Sequence, residues 1–155
     1  MGRRTKLLPA FFIAPLIFAL CGVLSLAAGQ EASCVRDDFV AVVDTAAASL
    51  RALNQANKTK FQDRLRKLKT KNGWSNEEYL KAAEPYVRDP KIAEFDATSA
   101  KLLGEIAALG QEGSEASTLD CGVLTQLRAR MDVLVNTQKD KWAYMFENID
   151  KALSQ

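Results

Sequence analysis

Apolar residues recur at three- and four-residue intervals from Val35 almost to the end of this chain, and nowhere do they alternate. That pattern restricts the fold, because a period near 3.6 buries one helix face whereas a half-buried strand needs a period of two. The class expected is all-α.

The stripe divides into four pieces. Phe39, Val42, Val43, Ala46, Leu50 and Leu53 define one face, and Phe61, Leu65 and Leu68 extend it to about Lys71. Ser33 is placed to cap this helix, Asp37 and Asp38 suit its first turns, and Asn72-Gly73 supplies a left-handed stop. Ser75 and Glu78 then have capping-box spacing before a short helix with Tyr79, Leu80, Ala83, Tyr86 and Val87 on its apolar side. Pro85 and Pro90 interrupt it, since each lacks an amide donor and restricts the residue before it. Asp89-Pro90 also reads as a new N-cap with proline in the first helical position. A third helix is expected from Pro90 to about Leu109, burying Ile92, Phe95, Leu102, Leu103, Ile106 and Leu109 and ending at Gly110. Residues 111–118 read as a loop. A last helix carries Leu124, Leu127, Met131, Leu134, Val135, Trp142, Met145, Phe146, Ile149 and Leu153 without a proline to break it.

The N-terminus reads as an export signal spanning residues 1–29. Arg3, Arg4 and Lys6 form a positive region, an apolar run follows from Leu7 to Ala28, and Ala27-Ala28-Gly29 fits a cleavage site. An uncleaved membrane anchor is the alternative, for the run has about the length that spans a bilayer. Pro9, Pro15 and Gly22 count against a permanent membrane helix, and Leu20 before Cys21 counts against lipidation. The remainder, residues 30–155, is one domain's worth of chain. Without the three leader cations it holds 18 basic and 19 acidic side chains, a net charge of −1. Nothing in that balance asks for nucleic acid.

Two cysteines remain after the leader, Cys34 and Cys121. In an oxidising compartment such a pair is most simply a disulfide, and their wide separation is unlike a redox-active C-x-x-C. Histidine is absent altogether. That removes Ser-His-Asp and Cys-His catalysis, histidine zinc sites and C-x-x-C-H haem attachment. The EF-hand, G-x-S-x-G and P-loop patterns are missing as well. The chain is read as a non-enzyme that uses no cofactor or metal.

Lengths then suggest an architecture. At about 1.5 Å per residue the first helix, the last helix and the middle pair each come to roughly 50–55 Å. A Cys34–Cys121 bond sets the starts of the first and last helices together, so the middle rod must return between them. The expectation is an elongated up-down-up helical bundle with a proline-broken middle helix. A compact four-helix bundle is the alternative, if the first helix folds back near Asn57.

Two features can carry function. Lys58, Lys60, Arg64, Arg66, Lys67, Lys69 and Lys71 are opposed within their stretch only by Asp63, which offers a positive patch to an anionic envelope polymer or an acidic protein. The competing use is a solvated helix face. Trp74, Tyr79, Tyr86 and Tyr144 can line a groove for a peptide or apolar ligand, or the seam of a homo-oligomer, unless they pack into the core. The functional expectation is a periplasmic or secreted bacterial envelope protein that binds a protein or polymer. A small-ligand carrier or sensor with an apolar interhelical pocket is the runner-up.

Overall fold

A computed structural model describes residues 34–116 and 118–155. The export-signal reading of residues 1–29 and the Ser33 cap lie outside the described residues. Among the described residues there are four helices: α1 (Arg36–Asn72), α2 (Asn76–Ala83), α3 (Pro90–Glu115) and α4 (Cys121–Ser154). A short 3-10 turn at Glu84–Tyr86 joins α2 toward α3. The protein is an all-α helical bundle.

Local chemistry explains the boundaries. At the start of α1 the Asp38 carboxylate accepts from the Val35 amide at 2.8 Å. Gly73 ends the helix with φ +66°, and the amides of Gly73 and Trp74 turn back to the carbonyls of Thr70 and Lys69. Those two bonds form a Schellman closure, which needs a residue tolerant of positive φ. Ser75 and Glu78 exchange the two bonds of a capping box. Asp89 caps α3 by accepting from the Ile92 amide at 2.7 Å, with Pro90 in the first turn where its missing donor costs nothing.

Burial organises these helices around α4. One cluster joins Phe61, Leu65 and Leu68 of α1 to Ile92 of α3 and to Met145 and Ile149 of α4. A second joins Val42 and Ala46 of α1 to Leu124, Leu127 and Met131 of α4. Early residues of α1 therefore meet early residues of α4, and late meet late, so the two run parallel. Contacts between α3 and α4 run the opposite way: Asp89 with Tyr144, Ser99 with Gln138, and Glu105 with Arg130. Cys34 and Cys121 form the disulfide that joins the starts of α1 and α4, with Cα atoms 5.6 Å apart.

Several expectations need correction. α1 is continuous through Asn57, so the fold-back that would make a compact four-helix bundle does not occur. α3 does not stop at Gly110 but continues to Glu115, replacing most of the expected 111–118 loop. The reason lies across the bundle. Gly113 is buried against Phe39, whose ring comes within 3.1 Å of where a Cβ would stand. Val43, Leu80 and Leu103 were expected on buried faces, yet all three are exposed. α1 and α3 each pack on α4 and leave their other flanks to solvent, and α2 is too short to cover them.

Candidate functional site

The seven cations between Lys58 and Lys71 do not form one patch. A helix turns about 100° per residue, so Lys60, Arg64, Lys67 and Lys71 fall within an arc of about 60°, while Lys58, Arg66 and Lys69 occupy the other flank. On that other flank Arg66 pairs with Asp63, and Lys69 donates to Asn76 while its ammonium stands 5.6 Å above the Tyr79 ring. Lys58 is exposed.

The four-cation stripe borders the end of α4. Arg64 reaches Asp150 at 2.6 Å and lies over the Phe146 ring at 4.5 Å, so its side chain is packed and its charge is paired. Lys71 donates to the carbonyl oxygens of Leu153 at 2.9 Å and Ala152 at 3.4 Å. A cation there satisfies the last carbonyls of α4 and suits its dipole. Lys60 and Lys67 are exposed and make no hydrogen bond or ion pair among the described residues. Their charge is thus free to meet an external anion.

On the same side of α1 a cleft of about 500 Å³ runs between α1 and α4, lined by Asp38, Thr45, Ser49, Arg128, Asp132 and Lys139 among others. Its charges are of both signs. The positive end of this seam is therefore the segment around Lys60, Arg64, Lys67 and Lys71, about 16 Å long from the helical rise.

The aromatic candidates are placed differently. Trp74, Tyr79, Tyr86 and Tyr144 are all half-buried against the Phe61–Ile149 cluster, beside Trp142 and Phe146. Phe61 meets Trp142 and Phe146 edge-on at 5.9 and 5.7 Å between ring centres, a geometry favoured by the aromatic quadrupole. Tyr144, on the α3 side of α4, donates its hydroxyl to Asp89 at 2.6 Å and packs on Phe95. These rings cover the core.

A polar network here was not read from the sequence. Besides capping α3, Asp89 accepts from Tyr144 and, at 3.4 Å, from Asn148. Burial pushes the Asp89 carboxyl up, but the Tyr144 hydroxyl and the amides of Ile92 and Lys91 outweigh it, so the group sits below its ordinary value of 3.8. Farther along, Gln138 donates to the buried Ser99 hydroxyl at 2.7 Å, and the Trp142 indole donates to Asn54 at 3.0 Å. The Asp89-Pro90 cap was visible in sequence, whereas its partners lie more than fifty residues away.

Among the described residues no group of three or more histidine, cysteine or acidic side chains is arranged to hold a metal. No helix among them is long and apolar enough to cross a membrane. The chain matches no protein-family model, no curated protein and no solved structure.

Proposed function

We propose that this protein is an exported, disulfide-stapled binding protein of a bacterial cell envelope, periplasmic or secreted, that holds an anionic envelope polymer or acidic partner along the Lys60–Lys71 stripe. The observation that carries this reading is the sorting of cations on α1. Arg64 and Lys71 are fixed by contacts to α4, while Lys60 and Lys67, on the same flank, have no partner inside the described chain. Packed neighbours hold the first two in place, and the other two supply unneutralised charge beside them. A disulfide is compatible with an oxidising compartment and supports the export reading. The aromatic side chains Trp74, Tyr79, Tyr86 and Tyr144 pack half-buried against the core and are not counted as part of this stripe.

Chromatography on an immobilised polyanion tests the stripe. Replacing Lys60 and Lys67 together by glutamate should lower the eluting salt concentration and abolish envelope co-sedimentation, with the helical signal unchanged. Lys58→Glu, on the other flank, should have little effect. Equal elution of the double variant and the parent, or an equal loss from Lys58→Glu, refutes a specific site.

A further inference from the structure

Among the described residues, the disulfide end of the bundle leaves an apolar face uncovered. Val35, Val40 and Val43 are 56, 54 and 41 % exposed. Beside them, between the start of α1 and the end of α3, lies a cleft of about 350 Å³ lined by Phe39, Val40, Val43, Gly113, Leu119 and Leu127. At one wall the Phe39 ring packs directly on Gly113, where a Cβ would meet it at 3.1 Å. The lining is overwhelmingly carbon, unlike the mixed-charge seam on the other flank of α1.

Two charges stand at the rim of this cleft, Arg36 and Asp44. Neither has an ion-pair or hydrogen-bond partner among the described residues. Arg36 is the first residue of α1, where a cation opposes the helix dipole, so the chain itself gives no reason for it. Spaced four residues to either side of Val40, the two lie on the same flank of the helix, about 12 Å apart. A charge of each sign placed symmetrically about an exposed valine is self-complementary under a two-fold rotation.

We propose that this face is a homodimer seam, in which α1 of a second copy lies antiparallel along the cleft, with the two-fold axis beside Val40. Arg36 of each copy then faces Asp44 of the other, and Val40 and Val43 enter the partner's cleft. Such an isologous contact uses one patch twice and closes on itself. Apolar centre and charged rim are the usual division of labour in an interface. The seam lies on the flank of α1 that faces α3, away from the cation stripe, so it stands or falls separately from the proposed polyanion site.

Sedimentation equilibrium of the oxidised protein, as released by its producing cell, tests the proposal. The parent should show a concentration-dependent monomer–dimer equilibrium, as a small interface of the weak or transient class does. Val40→Glu should give monomer, and because Val40 is exposed its melting temperature should hardly change. Asp44→Arg turns two attractions into two repulsions and should raise the dissociation constant by about tenfold or more. Adding Arg36→Asp to Asp44→Arg should restore the parent value to within about threefold, a recovery that a purely structural defect does not produce. A monomeric parent at every concentration overturns the seam, as does a dimer indifferent to Val40→Glu or a charge exchange that fails to recover. A small apolar ligand co-purifying with a monomer also overturns it, assigning the cleft to that ligand.

Discussion

Breaking the Cys34–Cys121 bond should loosen one end of the bundle far more than the other. The cross-link closes a separation of 87 residues. From chain entropy alone, losing a loop of that size costs about 4.6 kcal/mol at room temperature. That is comparable with the whole net stability of a small domain, about 5–15 kcal/mol. Where the loss appears depends on local burial. At the disulfide end α1 contributes only Val42 and Ala46 to the buried cluster, whereas at the other end it contributes Phe61, Leu65 and Leu68. With roughly 1.5–3 kcal/mol for each fully buried large apolar side chain, the far cluster holds α1 on α4 without the cross-link and the near one does not. The Cys34→Ser/Cys121→Ser variant should therefore unfold in urea about 4–5 kcal/mol more easily. Hydrogen exchange should quicken from Arg36 to about Ala46 and across Cys121–Arg128, while Phe61–Leu68 and Met145–Ile149 change only through the lowered global stability. A difference below about 1 kcal/mol, or equal loss of protection at both ends, refutes the reasoning.

Asp89→Ala removes a helix cap and strands the Tyr144 hydroxyl, so it should cost about 2–3 kcal/mol, and Tyr144→Phe about 1–2 kcal/mol. A double-mutant cycle should return about 1 kcal/mol of coupling, and additive losses would show the pair to be independent. The Asp89 and Glu78 carboxyls are both held below their ordinary values, Glu78 by its bonds to the Ser75 amide and hydroxyl. Their contribution is therefore complete above the ordinary carboxylate range and lost as pH falls through the lowered folded-state values, so urea midpoints should drop below about pH 4, less steeply in Asp89→Ala. Ile149, with no exposed surface, should lose about 2–5 kcal/mol on truncation to alanine, measured by the same denaturation.

The candidate site was only partly legible. The seven cations were plain in sequence, and helical geometry alone divides them into two flanks. Which of the cations are engaged was not plain, because Asp150, Leu153 and Asn76 enter from other elements. The sequence leaves the aromatic residues open to a groove or to core packing, and the fold places them half-buried against the Phe61–Ile149 cluster. Tyr144 lies off the main stripe of α4, and a second neighbour, α3, takes up that side through Asp89 and Phe95.

Helix type, the caps at Ser75 and Asp89, the glycine stop at Gly73 and the cysteine pair were written into the sequence, since each depends on residues within a turn or on simple counting. Tertiary contact alone decided that α3 runs past Gly110 and Gly113, that Leu80 and Leu103 stay in solvent, and that Lys60 and Lys67 keep unpaired charge. A helix announces which face is apolar, but whether a neighbour arrives to cover that face is a property of the assembled bundle.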